Sequence, residues 1–102
     1  MADHTPLSIR DLAERRYQGG IAVGKPTHPW QDETRDFAAE IEEECADAWN
    51  YFIFWKKRNL DPSHPNPRAV LDILQAQEYL RKAFELVEKI EAGLKGGGAD
   101  AE

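Results

Sequence analysis

Four acidic residues near the middle of the sequence have the types and spacing that could bind a divalent cation. They are Glu40, Glu43, Glu44 and Asp47, in a segment whose apolar residues recur every three or four positions. At about 100° per residue, Glu40, Glu44 and Asp47 share one flank of the predicted helix, beside its apolar stripe. Carboxylate oxygens bind hard ions such as Mg²⁺, usually together with water and substrate phosphates. Because Glu also favours helices, a solvated acidic face fits the same pattern, and we expect Glu42 to be solvated.

The local sequence of this helix is Glu43-Glu44-Cys45-Ala46-Asp47-Ala48-Trp49-Asn50-Tyr51. The pair formed by Glu44 and Asp47 resembles the second signature of the MazG-type, all-α nucleotide pyrophosphohydrolases. Asn50-Tyr51 is similar to the Asn-Tyr of short, phage-type relatives. A loop from Arg16-Tyr17 to Trp30, followed by an acidic helix, is also similar to the layout of those proteins.

This resemblance implies a helical fold that forms dimers or larger assemblies. It also implies Mg²⁺-dependent cleavage of a nucleoside triphosphate to the monophosphate and pyrophosphate. Glu44 and Asp47 would be metal ligands, and Glu40 or Glu43 would be a further ligand or the base that activates water. The substrate would be a nucleotide, and Asn50 is a candidate residue to bind it.

The family's other signature, a Glu-x-x-Glu pair on a preceding helix, has no direct counterpart. The nearest match is Asp11-Leu12-Ala13-Glu14, and a pair formed by Glu40 and Glu43 is an alternative. The missing carboxylates could come from Asp11 and Glu14 or from a second subunit, or they could be absent altogether. The last case describes an inactive relative or a non-enzymatic helical interaction protein of phage or prophage type. A carboxylate metal site between subunits is a third hypothesis.

A glycine-rich segment before this helix is superficially similar to a phosphate-binding loop. Gly19 and Gly24-Lys25 have the required spacing, but Pro26 stands where the motif needs the Ser or Thr that ligates Mg²⁺. No strand precedes the segment, so the motif is rejected. Lys25 remains a candidate for binding a nucleotide phosphate as a simple charge.

Composition restricts the remaining possibilities. The chain has 102 residues, with 13 basic and 19 acidic side chains and a formal charge of −6. This balance argues against nucleic-acid binding and against attachment to an anionic membrane. The single cysteine, Cys45, excludes an internal disulfide. Without a signal peptide or a transmembrane stretch, we expect a cytoplasmic protein.

The helices that must position these residues are marked by their caps. Ser8 and Asp11 resemble a capping box, which predicts a helix over 9–17 that ends before Gly19-Gly20. Asp32 or Thr34 would begin the second helix, which runs to about Asn59. Asn66-Pro67 then begins a third helix that ends near Leu94. We expect one helical domain over residues 7–95, with disordered segments at 1–6 and 96–102.

The third helix carries an apolar seam with alternating spacings of three and four. Such a seam must lie against the second helix or against the same helix of another subunit. The sequence therefore predicts an all-α fold, in which a short helix and a loop precede an antiparallel hairpin of two long helices. We expect this hairpin to assemble into a helical-bundle homo-oligomer. The seam consists of Ile73, Ala76, Leu80, Ala83, Val87, Ile90 and Leu94.

Overall fold

The computed structural model describes residues 8–100, with side chains described as far as residue 96. Within this range the chain forms three α-helices, one short 3₁₀ turn and no strand, which confirms the predicted all-α fold. The elements are α1 (Ile9–Ala22), the turn Pro29–Gln31, α2 (Phe37–Asn59) and α3 (Pro67–Asp100). No helix of the described part is long and apolar enough to cross a membrane.

The chain divides into two compact units, Met1–Arg35 and Asp36–Glu102. The first contains α1 and the 3₁₀ turn, and the second contains α2 and α3. The predicted single domain over 7–95 stays a prediction. The disorder expected at 1–6, and the last two residues of the expected disordered tail, lie outside the described residues.

Helix α1 begins where the sequence predicts but ends later. The hydroxyl of Ser8 accepts a hydrogen bond from the Asp11 N–H at 3.1 Å, as a cap should. Gly19 and Gly20 do not end the helix, which continues to Ala22. Glycine makes a helix interior less stable by about 1 kcal/mol but does not forbid it.

The end of α1 is set by Gly24, whose φ is +97°. The Lys25 N–H donates to the Gly20 carbonyl at 2.9 Å, and the Gly24 N–H donates to the Ile21 carbonyl at 3.0 Å. These two bonds form a Schellman motif, which requires a left-handed residue that glycine adopts without steric cost.

Helix α2 is capped by Asp36, and neither Asp32 nor Thr34 begins it. The Asp36 carboxylate accepts a hydrogen bond from the Ala39 N–H at 3.0 Å. The Asp32 carboxylate instead accepts bonds from the Thr34 N–H at 3.0 Å and the Thr34 hydroxyl at 2.6 Å. These bonds lower the pKa of Asp32. The two acidic residues therefore have different roles. Asp32 stabilises the turn before the helix, and Asp36 caps the first turn of the helix.

Helix α3 begins as predicted, with the Asn66 side-chain oxygen accepting from the Ala69 N–H at 3.1 Å and with Pro67 in the first turn. Its far end differs from the prediction, because the helix continues past Leu94 to Asp100. The glycines at 96–98 lower helix propensity, yet no proline follows to forbid continuation.

Helices α2 and α3 pack against each other as the predicted antiparallel hairpin. Phe52 and Ile73 line one groove near the connection, whereas Glu42 lies close to Glu91 at the other end. Ile73 and Gln77 are each only 4% exposed, and they are the buried residues of the described chain. The hairpin therefore has a very small core.

The predicted seam of α3 is covered in its first part and exposed toward its end. Ile73, Ala76, Leu80 and Val87 are buried or half-buried, whereas Ala83 is exposed. Ile90 and Leu94 belong to the predicted seam but are 61% and 80% exposed. They do not face α2, so their contact with another subunit stays a prediction. The buried and half-buried positions of α3 include three polar residues, which hydrophobicity alone does not select. Between residues 73 and 91 these positions are Ile73, Ala76, Gln77, Glu78, Leu80, Phe84, Val87 and Glu91.

Gln77 is the one polar side chain buried in this core, within the described residues, and it is poorly satisfied. Its oxygen lies 3.5 Å from the Lys56 ammonium, and its side-chain nitrogen has no partner in the described chain. An unsatisfied buried donor costs about 1–3 kcal/mol.

We expect Gln77→Leu to raise the free energy of unfolding by about 1 kcal/mol in urea denaturation. Gln75→Leu, at an exposed position of the same helix, is the control, and an unchanged or lower value for Gln77→Leu would contradict the assignment.

Candidate functional site

Glu44 and Asp47 lie on a side of α2 that α3 leaves exposed. Cys45 is half-buried and lines a groove with Phe84 of α3. Glu44, Asp47 and Tyr51 are exposed. At about 100° per residue, these three lie roughly 100–160° around α2 from Cys45. The shared flank predicted for the carboxylates is therefore open to contact from outside the hairpin.

Aromatic side chains continue this side of α2 toward its C-terminal end. Tyr51 is 71% exposed and Trp55 is 55% exposed. The Tyr51 and Phe54 rings meet edge to face, with centroids 6.3 Å apart. Because these residues repeat at intervals of three and four, they share a face with the acidic residues. We define the acidic–aromatic face as Phe37, Glu40, Ile41, Glu44, Asp47, Tyr51, Phe54 and Trp55.

Two of the predicted site residues share a groove. Glu40 is half-buried, and with Glu44 it lines an open groove of about 390 Å³ along the α2–α3 seam. The other walls are Phe37, Ile41 and Cys45 of α2 and Leu80 of α3. Glu43 and Asp47 are exposed and do not line this groove. The structure thus brings together one candidate base and one candidate metal ligand beside apolar walls.

Asn50 belongs to a different groove. It lines a space of about 300 Å³ together with Trp49, Arg81 and Phe84. By helical spacing it lies roughly 120° around α2 from Glu44. The two grooves are neighbours, because Cys45 and Leu80 line both, but Asn50 lines only one of them and Glu40 and Glu44 line only the other.

The described residues of one chain do not form a metal site. No group of three carboxylate, histidine or cysteine side chains in that part could hold an ion. The carboxylates of Glu40, Glu44 and Asp47 project from one convex helix surface, which cannot enclose a cation. Glu14, a candidate for the missing pair, accepts a hydrogen bond from the Gln18 amide at 2.8 Å within α1. Any Mg²⁺ bound at Glu44 and Asp47 needs ligands from beyond these groups.

Glu42 is not simply solvated, contrary to the sequence-based expectation. It is half-buried, and partial burial followed by the carboxylates of Glu91 and Glu88 raises its pKa. Lys95 opposes the shift. Helical spacing could have predicted the partial burial of Glu42. This residue precedes Cys45 by three positions and so shares the side of α2 that packs on α3.

Neutralising Glu42 should stabilise the hairpin in a pH-dependent way. A raised pKa means that the folded state holds the proton more tightly, so stability is lost as the pH rises through that pKa. We expect Glu42→Gln to have a higher Tm than the wild type near neutral pH. The difference should vanish in acid, below the ordinary Glu pKa of about 4.3. Glu43→Gln, at an exposed position, is the matched control, and an equal gain in both variants at neutral pH would refute the role of Glu42.

The glycine-rich segment does not form a phosphate-binding loop. The N–H groups of Gly24 and Lys25 already donate to carbonyls of α1. The segment also ends a helix, and the C-terminal end of a helix dipole repels anions. Any contact of Lys25 with a phosphate must therefore come from its side chain.

Comparison with known proteins adds no family assignment. No family model, no curated protein and no solved structure matches the chain. The resemblance to MazG-type pyrophosphohydrolases stays a prediction from the residues of α2. The functional argument depends on the geometry of the hairpin and on those residues.

Proposed function

We propose that the protein assembles through the acidic–aromatic face of α2 into a homo-oligomer, and that this oligomer is a Mg²⁺-dependent nucleotide pyrophosphohydrolase of the MazG type. The observation that supports this most is the position of Glu44 and Asp47 on the same exposed helix face as Tyr51 and Trp55. A helix that covers the aromatic residues must also approach the carboxylates. Assembly and completion of the site would then be one event.

The size of the face supports a second copy of the chain as its occupant. An aromatic side chain can bury about 150–250 Å². The five apolar residues of the face are 41–71% exposed, so each copy offers roughly 500 Å² of apolar area. With the charged residues alongside, this approaches the roughly 800 Å² per partner of a stable interface. The hairpin buries little itself, so assembly would supply the missing core.

The charge distribution of α2 supports an antiparallel arrangement of the two copies. Its N-terminal half carries the carboxylates from Glu40 to Asp47, and its last turn carries Lys56, Lys57 and Arg58. A two-fold axis across α2 brings the acidic half of one copy beside the basic end of the other. Opposite charges then meet, and the repulsion among the carboxylates is reduced.

The proposed metal site places a further requirement on the assembly. The basic last turn of a second copy's α2 cannot ligate a cation, so the remaining ligands must come from other groups of that copy. Glu44 and Asp47 would bind Mg²⁺ from one side, with a second copy providing ligands from the other. The ion would neutralise phosphate charge in the bound nucleotide. Glu40 would be a further ligand, and Glu40 or Glu43 would accept the proton of the attacking water. Because the described residues of one chain provide an incomplete ligand set, an isolated subunit should be inactive.

Assembly can be tested by light scattering coupled to size exclusion over a range of protein concentrations. We expect Tyr51→Ser to weaken self-association roughly 10-fold, since buried aromatic anchors dominate interface energies. Tyr79→Ser is the matched control, because Tyr79 is 62% exposed but lies on α3. A wild type that is monomeric at every concentration would overturn the assembly proposal, as would equal effects of the two variants.

The enzymatic part can be tested by pyrophosphate release from a panel of nucleoside triphosphates with Mg²⁺. We expect turnover of at least one nucleotide and Mg²⁺ binding in calorimetry. The absence of both would remove the enzymatic proposal. Assembly without turnover would favour the second candidate, a non-enzymatic helical interaction protein. That candidate is supported by the lack of a three-ligand group in the described part of the chain.

A further inference from the structure

A cleft of about 600 Å³ lies within the first unit, between α1 and the segment that follows it. Three cationic side chains line it, namely those of Arg16, Lys25 and Arg35. None of the described residues that line it is acidic. Since the chain has a net charge of −6, this is a local reversal of sign. A cleft lined by one sign of charge attracts a ligand of the opposite sign.

The position of Lys25 at this cleft is set by the backbone. The Schellman motif around Gly24 turns the chain back, so that the Lys25 stem lies across Gly20 of α1. A Cβ added to Gly20 would come within 3.0 Å of the Lys25 Cδ and 3.6 Å of its Cβ. The lysine stem therefore packs closely on Gly20, and a side chain at position 20 would require this stem to shift.

The opposite wall of the cleft is held by a side-chain contact and by prolines. The Tyr17 hydroxyl donates a hydrogen bond to the Thr27 carbonyl, which joins α1 to the loop. Pro26 and Pro29 line the cleft and have fixed φ angles. These apolar surfaces beside the cations suit a ligand that carries both an anionic group and a non-polar portion.

Two of the three cationic side chains have no ion-pair partner among the described residues. Neither Arg16 nor Lys25 forms an ion pair within the described residues. Arg35 interacts electrostatically with Asp32, although the Thr34 hydrogen bonds have the larger effect on the pKa of that carboxyl. The argument therefore depends on Arg16 and Lys25.

We propose that the cleft lined by Arg16, Lys25 and Arg35 binds the phosphate group of a small phosphorylated molecule. Guanidinium groups match phosphate oxygens in a bidentate geometry, and an ammonium adds a point charge. The non-polar part of the ligand would lie against Pro26 and Pro29. This binding goes beyond the proposed hydrolysis, because it requires neither Mg²⁺ nor the carboxylates of α2.

The test is calorimetry of the full chain at low ionic strength without divalent metal, with inorganic pyrophosphate and adenosine triphosphate as separate probes. We expect saturable binding that weakens with salt. Lys25→Gln and Arg16→Gln should each weaken it about 10-fold, the loss of one charge-assisted contact. Arg15→Gln, on α1 but outside the cleft, should bind like the wild type.

A second pair of variants tests position rather than charge. Gly20→Ala retains every cation but requires the Lys25 stem to shift, so it should weaken binding. Gly93→Ala, on α3 and outside the cleft, has open space and should not. Tighter binding of the nucleotide than of pyrophosphate would support an organic ligand, and equal binding would support recognition of phosphate alone. Binding of neither probe would overturn the proposal, as would equal affinities in wild type, Lys25→Gln and Arg16→Gln. Glu44→Gln should bind normally, so failure of the hydrolase proposal remains distinguishable.

Discussion

Ile73→Ala is expected to lower the free energy of unfolding by about 3 kcal/mol, the largest loss of stability from any single apolar truncation in this chain. Ile73 is the buried hydrophobic residue of the described chain, at 4% exposure, and it lies between the two long helices. Truncation removes its transfer free energy and leaves a cavity in the seam. Small domains are stable by only about 5–15 kcal/mol, so this loss is a large share of the total.

The measurement is urea denaturation followed by circular dichroism at one fixed protein concentration, because assembly makes stability concentration-dependent. Ile9→Ala is the matched control, since Ile9 is 84% exposed on α1. We expect the control to change the free energy of unfolding by less than about 0.5 kcal/mol. Similar losses in the two variants would mean that α2 and α3 do not form the stabilising core.

Glu44→Gln is expected to reduce pyrophosphate release about 100-fold, which corresponds to about 2.7 kcal/mol of transition-state stabilisation. Glutamine keeps the size and helix propensity of the side chain but removes the charge that binds a hard cation. Asp47→Asn should behave in the same way, because both residues would bind the same ion. Both variants should also weaken Mg²⁺ binding in calorimetry.

Glu42→Gln is the matched control for this experiment. It removes a carboxylate two positions away, on the side of α2 that faces α3, and it should retain activity. Light scattering of each variant separates loss of the metal ligand from loss of assembly. Wild-type turnover in Glu44→Gln would place the chemistry elsewhere, and an equal loss in Glu42→Gln would show only that carboxylates on α2 support the fold.

Local chemistry was enough to predict the three helices, but not where α1 and α3 end or which residue caps α2. Ser8 and Asn66 cap their helices as predicted, because a cap needs only a side-chain oxygen and an N–H three residues ahead. The choice among neighbouring candidates was harder. Asp32 and Asp36 are both good caps by residue type, and only the hydrogen bonds to Thr34 show which one is engaged elsewhere.

Which side of each helix is covered was decided by packing. Helical spacing placed Glu40, Glu44 and Asp47 on one flank of α2, and that follows from the 100° turn alone. The burial of Glu42 and Gln77 did not follow, since their polarity argues against it. Helix α3 covers Glu42 because it packs on the side of α2 that includes Cys45, and α2 in turn covers Gln77 of α3.

The amino-acid sequence alone therefore determined the acidic helix and the angular positions of its side chains around the helix axis. Both depend on contacts within a few residues. The exposure of its carboxylates beside Tyr51 and Trp55 was decided by the tertiary structure. An apolar stripe shows that a helix needs a partner, but the same stripe suits a helix of its own chain or of another copy. Helix α3 packs along one edge of the acidic–aromatic face, where Leu80 and Ile73 line grooves with Ile41 and Trp55, and it leaves Glu44, Asp47 and Tyr51 exposed.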